Sequence, residues 1–495
     1  MPASAPPGPL LIGDLFRRNA AAVPAWPAAS LGDTVVSHGA LNESANRTAW
    51  ALRARGVGHG DRVVCWAASG LDVLPLFAAL AKLGAVFAPL DARFGRDEAL
   101  TVARVARPQW LVADAEHAAA GGEVAAALGA RAIELSARSP RSDEIECPSL
   151  RETDPHVLFF TSGSTGRPKA VVLSHRANFL RSFQGVFRDE PERSVCMFPL
   201  FHMAGFTLAL SAWQTRGELA LVASATAEEL LAATERRRAN RLYGIPSIWH
   251  RILAVAPERF DTSSLRAVDT GTSATPIELL RALKTRFPAA ATRVYYGSTE
   301  VGSATALADA DVLGKPGSVG LPSPGVDLRL GDHGELLVRS AYLTDGYFDD
   351  PDATAAALRD GWFHTGDVGE IDGEGYVSIV GRLKELIRSG GESIAPSEVE
   401  AVLARHPAVA EVAVVGVPDA QWGEVVCAVV VPRAEATLEL AELQKQCDSV
   451  LAPFKKPRRL ALVDALPRTS ATGQVQRALL AQRLASHPSE SELDG

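Results

Sequence analysis

The stretch "FFTSGSTGRPKA", residues 159–170, carries the most specific local signal in the chain. Its polar positions alternate hydroxyl side chains with glycine and end on a lysine: Thr161, Ser162, Gly163, Ser164, Thr165, Gly166 and Lys169. Backbone N–H groups and hydroxyls in such a loop can surround a polyphosphate, and the lysine adds a positive charge. The spacing differs from that of the G-x-x-x-x-G-K-[ST] loop. We interpret the stretch as a phosphate-binding loop, with a flexible Ser/Gly connector as the alternative.

Strand and helix patterns alternate on both sides of this loop, from about residue 60 to residue 300. "DRVVCWA" (61–67) and "AVFAPL" (85–90) are typical of buried strands, and the sequence between them (71–84) is typical of a helix. Later strands are predicted at 218–224, 241–247, 265–271 and 292–298. Such alternation predicts an α/β domain with parallel-type sheets and helices packed on them, in which ligands bind at the carboxyl ends of the strands.

The pattern changes after about residue 315. Short strands separated by Gly and Asp turns predict a small β-rich subdomain at about 315–380. From 384 to 495 we expect a smaller α+β domain, so that residues 1–383 form the N-terminal domain. The first helix of this C-terminal domain is predicted to begin with a capping box between Ser397 and Glu400. Two apolar strands are expected after it, at 411–417 and 424–431.

Composition excludes several classes of partner. A chain of 495 residues is long enough for two or three domains, and its net charge of −8 gives no reason to expect nucleic acid or an anionic membrane surface. The longest apolar tract (73–90) is interrupted by a proline and a lysine, so no membrane span is predicted. The five cysteines lack metal-site or redox-motif spacing, and we expect reduced thiols in a cytoplasmic protein.

Further motifs follow the loop in a fixed order: "PLFHMAG" (199–205), "YYGSTE" (295–300), "GWFHTGD" (361–367) and "GRLKELIRSGGESIAPSEVE" (381–400). Together they resemble the adenylate-forming (ANL) superfamily, of the acyl-CoA synthetase or ligase type, over nearly the whole chain. The resemblance implies a large N-terminal domain and a small mobile C-terminal domain. It also implies a two-step reaction. A carboxylic acid and ATP give acyl-AMP and pyrophosphate, and the acyl group then passes to the thiol of CoA.

The resemblance also implies a role for each motif residue. Thr299 would contact the α-phosphate, Glu300 would bind Mg²⁺, and His202 would form a wall of the acyl pocket. The remaining nucleotide contacts would come from Gly271, Thr272, Ser273, Tyr296, Gly297, Asp367, Ile379 and Arg382. The alternatives are a surface carboxylate for Glu300, a turn aspartate for Asp367 and a linker ion pair for Arg382.

The C-terminal domain would carry the second step. Lys384 corresponds to the family's hinge, about which that domain changes orientation between the two half-reactions. In the second orientation Ser389, Gly390 and Gly391 would lie beside the CoA tunnel, where glycine allows close backbone approach. The stretch 197–206 lacks the aspartate of amino-acid-activating relatives, which favours a carboxylic acid without an amino group. No carrier-domain serine motif is present, which favours free CoA as the acceptor. The small residues from 271 to 274 would allow a bulky polycyclic acid.

One position departs from the family pattern. In "PRTSATGQVQRALL" (467–480), Gln474 stands where the family has a lysine that contacts the α-phosphate and acyl oxygens during adenylation. A fixed cation there stabilises charge that develops only in the transition state. Glutamine keeps a hydrogen-bond donor but loses the charge. The sequence contains no lysine after Lys456, and Arg468 and Arg477 are the near candidates for replacing it.

We therefore expect an enzyme that transfers an acyl group from acyl-AMP to CoA, with adenylation lost or strongly impaired. A separate adenylating acyl-CoA ligase would then supply the acyl-AMP. One alternative is a complete ATP-dependent synthetase that uses ATP, CoA and Mg²⁺. Another is a catalytically silent protein that binds the acid or the nucleotide. A third is an ordinary ligase with an engineered glutamine.

Overall fold

A computed structural model describes residues 8–162, 168–183, 190–390, 392–434, 437–448, 450–468 and 474–486. The chain forms two compact units. The first contains the chain up to Asp327 together with Val338–Phe363, and the second contains Leu328–Leu337 and the chain from His364 onward. Among the described residues, no helix is both long enough and apolar enough to cross a membrane.

The first unit alternates strands with helices. Its helices are α1 Ile12–Ala22, α2 His38–Arg55, α3 Val73–Leu83, α4 Arg96–Val105, α5 Ala118–Leu128, α6 His175–Ser182, α7 Met203–Gln214, α8 Ala227–Arg237, α9 Pro246–Ala254, α10 Ile277–Arg286 and α11 Pro351–Ala357. Its strands are β1 Pro27–Leu31, β2 Thr34–Ser37, β3 Arg62–Trp66, β4 Val86–Pro89, β5 Trp110–Ala113, β6 Arg131–Glu134, β7 Pro155–Ser162, β8 Pro168–Ser174, β9 Arg193–Cys196, β10 Glu218–Leu221, β11 Arg241–Tyr243, β12 Ala267–Gly271, β13 Ala291–Ser298, β14 Gly302–Leu307 and β15 Ser318–Pro322.

These strands form two mostly parallel sheets, as the alternating pattern predicts. One has the order β6-β5-β3-β4-β7-β8, with only the β7–β8 pair antiparallel. In the other, β1, β10, β9, β11, β12 and β13 pair in parallel, and β2 and β14 add antiparallel strands at the two sides. The strands predicted at 61–67 and 85–90 and the helix predicted at 71–84 are confirmed as β3, β4 and α3.

The core of this unit is aromatic. Every residue of α3 is buried, and its Phe77 stacks on Phe206 of α7 with ring centroids 4.3 Å apart. Phe16, Phe87 and Trp213 surround this pair. Burying each such ring stabilises the fold by about 1.5–3 kcal/mol. The packing fixes α7, whose N-terminus carries His202.

The second unit contains two sheets. Strands β16 Val326–Leu330, β17 Glu335–Ser340, β19 Trp362–Ile371 and β20 Val377–Arg382 are neighbours in that order. The short β18 Leu358–Arg359 belongs to the first unit and pairs with Trp362 and Phe363 at the start of β19. The remaining elements are β21 Ile387–Ser389, β22 Glu392–Ile394, α12 Pro396–Leu403, β23 Val409–Asp419, β24 Gly423–Pro432, α13 Leu440–Cys447, β25 Arg459–Leu462 and α14 Arg477–Ser486. The long antiparallel pair β23–β24 confirms the two predicted apolar strands.

The predicted capping box at Ser397 is wrong. Helix α12 has Ala395 at its N-cap position and Pro396 as its first helical residue, so Ser397 already lies inside the helix. Proline is favoured there because its fixed φ suits the first turn and its missing N–H costs no hydrogen bond. The Ser397 hydroxyl donates instead to the carbonyl of Val380.

Candidate functional site

The predicted phosphate-binding loop lies between β7 and β8, and residues 163–167 lie outside the described residues. The flanking strands fix its two ends, because Thr161 and Ser162 of β7 pair with Lys169 and Pro168 of β8. The ammonium group of Lys169 lies 4.6 Å from the ring centroid of Tyr347. A cavity of about 340 Å³ opens beside this lysine, lined among others by Arg104, Arg107, Lys169, Phe348 and Asp349.

Glu300 lies in the tight turn between β13 and β14. Its carboxylate accepts two hydroxyl hydrogen bonds, from Ser298 Oγ to Oε2 at 2.9 Å and from Tyr347 Oη to Oε1 at 3.1 Å. The Ser298 hydroxyl also accepts from the backbone N–H of Glu300 at 3.2 Å. Gly297 has no alternative here, because a Cβ would overlap the carbonyl of Gly302. Thr299 occupies the same turn.

A buried arginine holds this turn from behind. Arg181 of α6 donates to the carbonyl of Thr299 at 2.9 Å and to that of Tyr342 at 2.7 Å. Burial lowers the pKa of Arg181 to about 10, so the side chain stays charged at neutral pH. The backbone of the Thr299–Glu300 turn is therefore held by charge-assisted hydrogen bonds, which are stronger than neutral ones.

The ends of β12 and β13 meet beside this turn. Gly271 pairs with Tyr295, and a Cβ on Gly271 would lie 2.6 Å from the hydroxyl of Tyr243. Thr272 has a φ of +67°, which is rare for a β-branched residue and indicates a constrained backbone. Tyr296 follows in β13, and Ser273 is exposed in the loop after β12.

His202 caps α7 and belongs to an aromatic cluster. Its Nδ1 accepts from the N–H of Ala204 at 3.2 Å, and its ring stacks on Phe198 with centroids 5.5 Å apart. Tyr243 lies 5.3 Å from Phe198 and 6.3 Å from Tyr295. Burial lowers the pKa of His202 to about 4, so the imidazole is neutral at pH 7. The cluster thus offers an uncharged aromatic surface.

Charged residues beneath this cluster are paired with one another. Asp269 accepts from Arg241 at 2.6 Å and from Arg293 at 2.7 Å, and Arg241 also donates to Glu192 at 3.1 Å. Asp269 and Glu192 are fully or almost fully buried. Because removing one member would leave a buried charge unpaired, we interpret this network as structural support for β9, β11, β12 and β13.

In the second unit, Asp367 and Arg382 are direct neighbours across β19 and β20. Arg382 Nε lies 2.6 Å from Asp367 Oδ1, and Asp367 is buried whereas Arg382 is largely exposed. The turn before Asp367 is held by Glu335, which accepts from the N–H of Gly366 at 3.0 Å and contacts His364 Nδ1 at 2.8 Å. Both predicted ribose-side residues therefore lie together on a rigid strand pair.

The other predicted C-terminal residues follow β20. Ile379 lies in β20, and Lys384 is exposed in the turn after it. Ser389 is buried at the end of β21, and Gly390 has a φ of +59° with its N–H donating to the carbonyl of Trp422 at 2.8 Å. A Cβ on Gly390 would lie 2.7 Å from the Trp422 ring, so glycine is required. Gly391 lies outside the described residues.

Gln474 is exposed at the end of a loop that backbone pairing closes. Arg468 pairs with Val475, and the N–H of Gln476 donates to the carbonyl of Pro467 at 2.8 Å. The two nearby arginines have acidic partners. Arg468 forms an ion pair with Glu411.

Arg477 binds Glu400 at 2.8 Å and Glu385 at 3.2 Å. Burial lowers the pKa of Arg477 and the hydrogen bond to Glu400 raises it, with a net upward shift. Its guanidinium therefore stays charged and remains engaged within the second unit.

Sequence reasoning missed three supporting residues. The Glu300 turn is contacted by Tyr347 and Arg181, and the Asp367 turn is contacted by Glu335. Each of the three is at least 29 residues away in sequence from the residue that it contacts. Only the glycine before Tyr347, in "TDGYF" (344–348), marked a constrained backbone there.

Comparisons with known proteins agree on the family. The AMP-binding enzyme family matches residues 16–348, and the AMP-binding enzyme C-terminal domain matches residues 398–472. Feruloyl-CoA synthase of an Amycolatopsis species is 36% identical over 484 residues, which cover 93% of this chain and 97% of that protein. Indoleacetate–CoA ligase of Aromatoleum aromaticum is 34% identical over 498 residues, with coverage of 94% and 96%.

The fold agrees as well. The crystal structure of ATP-bound MatB from Rhodopseudomonas palustris superimposes with a TM-score of 0.86 at 29% identity, over 96% of this chain and 99% of that one. The predicted fold class, a large α/β domain followed by a smaller C-terminal domain, is thereby confirmed. The chain belongs to the adenylate-forming (ANL) superfamily and is an enzyme of the acyl-CoA synthetase type.

Proposed function

We propose that this enzyme transfers an acyl group from acyl-AMP to CoA and forms acyl-AMP from ATP slowly or not at all. The observation that carries the proposal is Gln474, together with the absence of any lysine after Lys456 in the sequence. The ion pairs of Arg468 and Arg477 support it further. An arginine that is already neutralised by one or two carboxylates is a poor replacement for a mobile lysine.

The two half-reactions differ in the charge that they develop. Attack of a carboxylate on the α-phosphorus of ATP brings negative charge to an already anionic centre, and a fixed cation lowers that barrier. Attack of the CoA thiol on acyl-AMP forms a carbon–sulfur bond, breaks the bond to the phosphate oxygen and releases AMP. AMP is a good leaving group without a lysine. Gln474 should therefore slow the first step by about 10²- to 10³-fold and spare the second.

The retained residues support the second step. AMP would be held by Asp367 and Arg382 on the ribose side and by Tyr296 and Gly271 on the base side. Gly390 would give the pantetheine arm a close approach. Lys169 and the cavity beside it would offer positive charge to phosphate groups. If ATP is used, Glu300 would bind Mg²⁺, which neutralises phosphate charge when it is present. A separate adenylating ligase would supply acyl-AMP.

For the acid, we propose a bulky, ring-containing carboxylic acid without a second charge. The support is the neutral aromatic surface formed by Phe198, His202, Tyr243 and Tyr295. Arg241, below this surface, is paired with Asp269 and Glu192, so it offers no free cation to a second carboxylate. The similar enzymes named for feruloyl and indoleacetate acyl groups point to the same class.

The competing function is the complete synthetase, and its support is that the similar enzymes carry names of complete CoA ligases. Two assays separate the functions. With ferulic or indoleacetic acid as probe, ATP–pyrophosphate exchange reports adenylation, and acyl-CoA formed from the synthetic acyl-AMP and CoA reports thioester formation. Thioester formation with negligible exchange supports the proposal, whereas fast exchange supports the complete synthetase. Binding of acid or AMP without either reaction would indicate a silent binding protein.

A further inference from the structure

The segment Thr344–Phe348 runs beside β8 and is fixed along its length. Val172 donates to the carbonyl of Gly346 at 2.9 Å, and Phe348 donates to that of Ala170 at 2.8 Å. Gly346 has a φ of +115°, and a Cβ there would lie 2.5 Å from Thr354. The N–H of Tyr347 donates to Thr354 Oγ1 at 2.9 Å. The backbone of Tyr347 is therefore held on both sides.

The side chain of Tyr347 joins two groups from different parts of the site. Its hydroxyl donates to Glu300 Oε1 at 3.1 Å, and its ring face lies 4.6 Å from Lys169 Nζ. The phenol hydroxyl is a hydrogen-bond donor and the carboxylate only accepts, so the direction of this hydrogen bond is fixed.

We propose that Tyr347 is a positioning residue that holds the Glu300 carboxylate and the Lys169 ammonium together for a magnesium–polyphosphate ligand. This inference rests on the proposed role of Glu300 in binding Mg²⁺. The carboxylate suits that role because its two oxygens offer about four acceptor sites and hydroxyl donors fill only two of them. Hard divalent cations prefer such oxygens. Without the Tyr347 hydroxyl, Oε1 would lose its fixed orientation.

The same tyrosine restrains the lysine. A cation over an aromatic face is attracted by the ring, which favours one position of a flexible side chain. Lys169 pairs with Thr161 on the neighbouring strand, so its direction influences the mouth of the phosphate-binding loop. Tyr347 thus contacts both Lys169, just after the loop, and the proposed magnesium ligand Glu300.

Binding of ATP without acid tests this role apart from turnover. Isothermal titration gives the dissociation constant of ATP in Mg²⁺ and in EDTA, and their ratio is the magnesium-dependent gain in affinity. We expect Tyr347→Phe to reduce that gain by about fivefold and to change the constant in EDTA by less than twofold. Tyr347→Leu should lose the same gain and also weaken binding in EDTA by about threefold, because Lys169 loses its aromatic partner.

Tyr342→Phe is the matched control, because it removes a phenol that lies two residues before this segment and donates to the carbonyl of Ser303 instead. The magnesium-dependent gain in ATP affinity of this variant should equal that of the wild type. The proposal is overturned if Tyr347→Phe keeps the full gain, or if the wild type shows none. Loss of stability without a change in the gain would show a purely structural role. Acyl-AMP plus CoA turnover needs no Mg²⁺, so failure of the proposed function would be seen separately.

Discussion

Replacing Gln474 by lysine should restore adenylation. The residue is exposed, and it lies next to the backbone pairing of Arg468 with Val475. The substitution should therefore change the free energy of unfolding by less than about 0.5 kcal/mol. A correctly placed donor to transition-state charge is worth about 2.7–4 kcal/mol, so the adenylation rate should rise about 10²- to 10³-fold.

The assay is ATP–pyrophosphate exchange with ferulic or indoleacetic acid, run beside thioester formation from the matching acyl-AMP. We expect Gln474→Lys to raise exchange and to change thioester formation by less than threefold. Gln474→Met is the matched control, since it resembles lysine in length but has no charge, and its exchange should stay at the wild-type level. Thermal unfolding of all three proteins checks that the fold is intact.

Two results would refute this reasoning. The first is wild-type exchange as fast as that of the lysine variant, because charge at position 474 would then be irrelevant. The second is a stable lysine variant that binds ATP and acid yet stays inactive in exchange. In that case the barrier to adenylation would lie elsewhere in the site.

Three further predictions concern other parts of the molecule. Asp367→Asn should weaken AMP binding at least tenfold in isothermal titration, because the carboxylate that pairs with Arg382 is also the proposed ribose acceptor. Arg477→Met should lower the free energy of unfolding by about 2 kcal/mol in urea, because it leaves Glu400 partly buried and unpaired; removing the Glu400 charge as well should recover part of the loss. Acidification should destabilise the protein through His175, because burial lowers its pKa to about 4, well below the unfolded value near 6.5. The stability is fully present above pH 6.5 and is lost as the pH falls toward 4, by about 2 kcal/mol at pH 5, and His175→Asn should flatten this dependence in thermal unfolding.

The fold could be predicted from local patterns because the parallel strands are short, β-branched and separated by helices of ordinary length. The predicted cap at Ser397 failed because the helix begins at Pro396, two residues before the position at which a Ser397 cap would start it. Motif residues such as Glu300 and Asp367 were also accessible from sequence. Their supports were not, because Tyr347 and Arg181 reach them through tertiary contacts with no periodic signal.

The distribution of retained and lost residues argues for partial, rather than general, loss of function. Gly390 keeps a backbone conformation that excludes other residues beside Trp422, at the position proposed for approach of the pantetheine arm. Asp367 likewise keeps its buried pairing with Arg382 across two strands, at the proposed ribose side of the nucleotide. Position 474 differs from these, because its side chain is exposed and carries no charge where the family has a lysine. We therefore expect substitution at position 474 to change the rate of adenylation but not that of thioester formation, whereas substitution of Gly390 or Asp367 should lower the rate of thioester formation.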